Sequence, residues 1–99
     1  MANDYKILEP IGKGMTSQVY RGQDAAGKIV AIKELLQEHR RDPKRVAGLA
    51  REAEMMRRLA HPNMMGLIDY DPVRFRIILE YMPRNLRARL ASVFAASFL

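Results

Sequence analysis

Gly12-Lys13-Gly14-Met15-Thr16-Ser17-Gln18-Val19 is the stretch on which the fold turns. It is a near match to G-x-G-x-x-G-x-V, with Ser17 standing at the third glycine position and keeping it small. Two glycines let a backbone pass close to a phosphate and aim N–H groups at it. In a dinucleotide-binding βαβ unit such a loop runs straight into a helix, with an acidic residue about 20 positions later. Here it runs into Ser17 to Arg21, which reads as a strand. That context rules out the doubly wound parallel fold.

Working outward, Tyr5 to Ile11 reads as the strand ahead of the loop, and Asp24-Ala25-Ala26-Gly27 as the turn after the second strand. Ile29 to Leu35, a β-branched run, is the third strand, and the three form an antiparallel meander. The period then changes. Asp42-Pro43 starts a helix, with Asp as N-cap and Pro at the first helical position, where its missing N–H costs nothing. Val46, Leu49, Ala50, Ala53, Met56, Leu59 and Ala60 fall in one arc of that helix, and His61-Pro62-Asn63 stops it. Met64 to Asp69 and Arg74 to Glu80 read as two more strands around an Asp71-Pro72 turn. After Pro83, Asn85 stands where it can cap a last helix whose Leu86, Leu90, Val93, Phe94 and Phe98 share a face. The expected class is α+β: a five-stranded antiparallel sheet with one packed helix and a short C-terminal helix.

Composition narrows the function. The 99 residues suffice for one small domain, and 48% apolar residues suffice for its core. Zero cysteines exclude a disulfide scaffold and any thiolate metal site, and suit a reducing compartment. No basic segment leading into an apolar stretch opens the chain, and the apolar run from Leu90 to Leu99 is too short to span a bilayer. The expectation is a soluble cytoplasmic chain without membrane contact. The net charge of +6 raises the question of nucleic acid. Residues 37 to 58 carry seven Lys or Arg, and Arg84, Arg87 and Arg89 add a second cluster. Four acidic residues intersperse the first group and no aromatic platform accompanies it, so it reads as a solvated helix face. His39 and His61 are too isolated for a metal site.

The chemistry centres on Lys33. Strand alternation in Val30-Ala31-Ile32-Lys33 puts the lysine on the same face as the small Ala31. On the helix, Glu52 falls inside the apolar arc whereas Glu54 falls on the solvent side. Arg45 also points inward, but from the first turn, where a long side chain can escape. A mid-helix glutamate on a packing face is expensive unless it meets a cation, and the cation on the facing sheet is Lys33. Paired so, the lysine ammonium would be positioned for phosphate.

At this point the chain resembles the N-terminal lobe of the eukaryotic-type protein kinases, over residues 5 to 90. The resemblance rests on the glycine loop, on Val30-Ala31-Ile32-Lys33, on a helix glutamate 19 residues beyond that lysine, on His61-Pro62-Asn63 and on Leu79-Glu80-Tyr81-Met82. Five motifs in the family's order and spacing are specific together. The resemblance implies ATP as ligand. Backbone N–H groups from Gly12 through Lys13, Gly14, Met15 and Thr16 to Ser17 would cover the β- and γ-phosphates. Lys33 would hold the α- and β-phosphates while paired with Glu52. Ile11, Val19 and Ala31 would sandwich the adenine, with Leu79 at the gatekeeper position. The Glu80 carbonyl and the Met82 backbone would bond the adenine edge, and Met56 and Leu67 would join the family's hydrophobic column. Residues 1–82 would then be the lobe, and residues 83–99 a post-hinge segment with its terminal helix.

The family's second-lobe motifs do not stand in this sequence. There is no His-Arg-Asp-x-x-x-x-Asn loop, hence no catalytic aspartate, and no Asp-Phe-Gly to carry Mg²⁺. His39-Arg40-Arg41-Asp42 has an extra residue and lies ahead of the helix, where it caps it; Asp69-Tyr70-Asp71 leads into a turn. The expectation is therefore a kinase N-lobe inactive alone, with Mg²⁺ bound only beside a complete C-lobe. Pro83-Arg84-Asn85-Leu86 lacks the glycine and acidic residues often found after the hinge, leaving Asn85 as the local polar group for a ribose. The apolar face of Leu86 to Leu99 must be exposed, folded back on the sheet, or covered by the missing C-lobe or a protein partner. The alternative function is a catalytically dead, kinase-like protein-interaction module.

Overall fold

A computed structural model describes residues 4–58 and 65–95. Five strands form one antiparallel sheet: β1 (Lys6–Lys13), β2 (Ser17–Gln23), β3 (Ile29–Leu35), β4 (Leu67–Asp71) and β5 (Arg76–Glu80), in the order β1-β2-β3-β5-β4. Helix α1 (Pro43–Arg58) follows a single 3₁₀ turn at Gln37–His39, and α2 (Leu86–Ala95) follows β5. The α+β expectation holds, element for element. His61-Pro62-Asn63, Leu59, Ala60, Met64 and Phe98 lie outside the described residues.

Several boundaries differ from expectation, each for a local reason. β1 runs through Gly12 to Lys13 because pairing continues as Gly12 with Val19 and Lys13 with Gln18. β2 extends through Gly22 to Gln23, paired with Val30 and Ile29. β4 begins at Leu67 rather than Met64 and ends at Asp71 rather than Asp69. β5 begins at Arg76 rather than Arg74, because the Asp71 carboxylate accepts hydrogen bonds from the Val73 and Arg74 N–H groups and holds both in a turn. Phe75 sits at φ 58° and turns its carbonyl to the Leu35 N–H at 3.0 Å, which joins the turn to the end of β3.

The two sheet faces are both apolar. One carries Val19, Ala31, Leu35, Ile77 and Leu79 against Leu49, Ala53 and Met56 of α1 and Val93 of α2. The other carries Val30, Ile32 and Ile78, covered by Tyr5, Ile7 and Tyr20 rather than by a helix. Gly22 makes that cover possible: a methyl group there would lie 2.4 Å from Ile32 Cδ1 and 2.9 Å from the Lys6 carbonyl oxygen. Helix α1 begins as its sequence requires, with Asp42 Oδ1 accepting from the Lys44 N–H at 3.0 Å and the Asp42 carbonyl accepting from Val46. Among the described residues no helix is long and apolar enough to cross a membrane.

Candidate functional site

Lys33 lies in the centre of the sheet, opposite Val19 on β2 and Ile77 on β5. With apolar neighbours on both sides, its side chain is 1% exposed and aimed at the underside of α1. Glu52 reaches it from the helix face that also buries Leu49, Ala53 and Met56. The ammonium donates to Glu52 Oε2 at 2.5 Å, and the carboxylate is 12% exposed. Burial pulls the Lys33 pKa below its ordinary 10.5; the Glu52 charge and hydrogen bond offset part of that shift. Arg45, inward by helical phase, leans out to solvent and toward Asp42, and Glu54 pairs with Arg57 and Arg58 on the outer face.

Above the pair, the glycine loop closes as a hairpin. The Gly14 N–H donates to the Ser17 carbonyl at 2.8 Å, and the Thr16 carbonyl accepts from Leu36 N–H at 2.8 Å, which ties the loop to the end of β3. Ser17 is buried beneath it, and Met15 at the tip is 79% exposed. Ile11, Val19, Ala31 and Leu79 meet in one apolar cluster, so the four residues expected around an adenine do share a surface. Met56 and Leu67 belong to the same cluster. At the end of β5 the Glu80 N–H bonds the Gly66 carbonyl at 2.8 Å, the Glu80 side chain is exposed, and Met82 is half-buried after it.

Helix α2 packs onto the same apolar face. Val93 is fully buried in the apolar cluster that also holds Val19, Ala31 and Leu79, and Leu86, Leu90 and Phe94 pack on the same cluster. Lys33 Nζ donates to the Val93 carbonyl at 3.0 Å and lies 5.9 Å from the centre of the Phe94 ring. That ring sits under the glycine loop: a methyl group at Gly14 would lie 2.7 Å from Phe94 Cδ1, and one at Gly12 3.1 Å from Phe94 Cε2. Between the loop, Arg45 and Phe94 a cavity of about 240 Å³ remains. Of the destinations open to the terminal helix's apolar face, the chain takes the fold back onto its own sheet. The apolar face was visible in the sequence; its contact with Lys33 was not, because a backbone carbonyl leaves no mark there.

A second charged cluster escaped the sequence reading. Glu34 accepts from Arg40 at 2.9 Å and from Arg76 at 2.6 Å, and Arg40 also donates to the Leu35 carbonyl and lies over Phe75. It fastens the 3₁₀ turn ahead of α1 to the sheet.

Comparison with known proteins agrees with this geometry. The family model described as protein kinase domain matches residues 5–97. The chain is 39% identical over 85 residues to the probable serine/threonine-protein kinase PknB of Lactococcus lactis, covering 82% of this chain and 14% of the relative. It is 37% identical over 102 residues to a probable serine/threonine-protein kinase of Arabidopsis thaliana, covering 98% of this chain and 14% of the relative. Human NUAK family SNF1-like kinase 2 is 29% identical over 83 residues, covering 82% of this chain and 13% of its own length. The chain thus spans about one seventh of the length of the curated relatives it matches. With five antiparallel strands, one helix carrying the partner of a central-strand lysine, and a family match over nearly its whole length, the chain belongs to the protein kinase family and has the architecture of its N-terminal lobe.

Proposed function

We propose that residues 1–82 are the ATP-binding lobe of a protein kinase and that residues 83–99 are its post-hinge segment. Lys33, oriented by Glu52, contacts the α- and β-phosphates, and the backbone from Gly12 to Ser17 lies over the β- and γ-phosphates. Ile11, Val19, Ala31 and Leu79 supply the apolar walls for adenine, and the backbone of Glu80 and Met82 supplies its hydrogen-bonding edge. The complete kinase transfers the ATP γ-phosphate to a protein serine or threonine hydroxyl, as the names of the bacterial and plant relatives suggest.

The observation that carries this reading is the Lys33–Glu52 pair at 2.5 Å. A sheet that only had to fold would gain nothing from it, because well-packed apolar residues in place of a buried ion pair are often neutral or stabilising. A held ammonium beside a glycine hairpin is, by contrast, what a polyphosphate needs. The alternative of an interaction module asks for an uncovered apolar helix face, whereas Leu86, Leu90, Val93 and Phe94 of α2 pack within the chain.

Magnesium is a different matter. Among the described residues no three acidic or imidazole side chains converge, and the family's Asp-Phe-Gly and catalytic-loop motifs are not in this sequence. Phosphotransfer by the residues present is not expected, because the motifs that carry magnesium in the family do not stand among them. Calorimetric titration of ATP into the full chain, beside Lys33→Ala and Glu52→Ala, tests the proposal. Binding at millimolar or lower concentration that both substitutions weaken supports it. Binding indifferent to both refutes the assigned roles.

A further inference from the structure

We infer that α2 is a plug for the nucleotide cleft, so that ATP and the docked helix compete for one surface; this rests on the ATP-binding reading above. Three contacts carry it. Val93 is fully buried in the apolar cluster that also holds Val19, Ala31 and Leu79, the residues assigned to the adenine walls and gatekeeper. Phe94 fills the space under Gly12 and Gly14, close enough that a methyl group on Gly14 would overlap the ring. The Val93 carbonyl takes a hydrogen bond from the Lys33 ammonium at 3.0 Å.

The third contact gives the plug its chemical sense. Helix carbonyls point toward the partially negative C-terminal end. In accepting from Lys33, the Val93 carbonyl offers a neutral, weaker substitute for a phosphate oxygen, and the Phe94 ring adds its negative face at 5.9 Å. The desolvated lysine thus keeps hydrogen-bond partners with no nucleotide, while an anionic ligand would offer it a stronger one. The cavity left beneath the loop is about 240 Å³ and a second, against Lys33 and Glu52, about 110 Å³; neither by itself reaches the roughly 300–1,000 Å³ usual for small-molecule sites. A nucleotide therefore enters only as α2 leaves. The pivot is Pro83 to Asn85: Asn85 stands at φ 58° and reverses the chain, the Leu86 N–H bonds the Pro83 carbonyl, and Arg89 Nε bonds the Arg84 carbonyl. Asparagine tolerates that left-handed conformation better than most residues.

The test uses the full chain, which has no native cysteine. Spin labels are placed on Ala25→Cys in the exposed β2–β3 turn and Ala91→Cys on the exposed face of α2, and the distance between them is read with and without ATP. In parallel, ATP affinity is measured for the unlabelled chain, for Leu90→Ser/Phe94→Ser, and for each with Lys33→Ala added. The expected result is a lengthened label distance on adding ATP and at least about tenfold tighter binding by the serine variant, since a ligand's apparent affinity falls with the fraction of competent molecules. Both effects should vanish with Lys33→Ala. The labelled chain keeps its apolar plug, so the distance reports even if the serine variant fails to fold. Lys33-dependent ATP binding with an unchanged label distance would overturn the plug and leave the ATP reading standing. No ATP binding by any folded variant would overturn both.

Discussion

At Lys33 and Glu52, stability and function separate. Glu52→Ala leaves a buried ammonium without its carboxylate, and should destabilise the chain near the lower end of the ~3–5 kcal/mol typical of broken buried pairs, because Glu52 keeps some solvent. The double variant Lys33→Met/Glu52→Leu, in which both charges go together, should be neutral or more stable in urea unfolding, yet bind no ATP. The same lysine shapes the alkaline limb of stability. Its folded pKa lies below 10.5 because burial outweighs the help from Glu52. Between the folded value and 10.5 the unfolded chain holds more protons than the folded one, so the Lys33 contribution to stability rises with pH across that window. Urea midpoints compared between the parent and the double variant should show this rise in the parent and lose it in the variant. Glu52 is legible in the sequence because a carboxylate in an apolar helical arc has to be explained by a partner.

Element boundaries were legible wherever a side chain caps a backbone, and blurred where pairing across strands decided them. Asp42 begins α1 where its short acceptor next to Pro43 predicts, and Asp42→Ala should cost about 1 kcal/mol of stability, read from the urea midpoint. The β4–β5 turn belongs to Asp71, whose importance the sequence announced only as Asp-Pro. Burial alone would raise its pKa, but hydrogen bonds from Arg74 and Val73, with the Arg74 charge, outweigh that and hold it below the ordinary 3.8. Its contribution is complete above pH 3.8 and lost as pH falls through the depressed folded value. Asp71→Asn should accordingly flatten the acid limb of the stability profile in pH-dependent urea unfolding. The bounds of β1, β2, β4 and β5 shifted by one to three residues at their ends because a ladder continues as far as its partner allows, and the partner is remote in sequence.

Across the whole molecule, one helix joins the glycine hairpin, the central strand and the hinge. Gly14→Ala places a methyl group against the Phe94 ring, and should loosen α2 by the ~1–3 kcal/mol of a typical overpacked contact. Hydrogen exchange should quicken in α2 while the amides of α1 keep their protection; equal quickening in both would mean that the hairpin itself had failed. Periodicity, turn residues and the order of five motifs were enough to identify the sheet, the packed helix, the Lys33–Glu52 pair and the family, because each is written in short-range spacing or in an energetic misfit at a named residue. The destination of α2 was not so written. An amphipathic helix declares that it must bury a face but not which surface receives it; that choice belonged to the shape left between the glycine hairpin and the sheet, and to a lysine whose neighbours are assembled only by the fold.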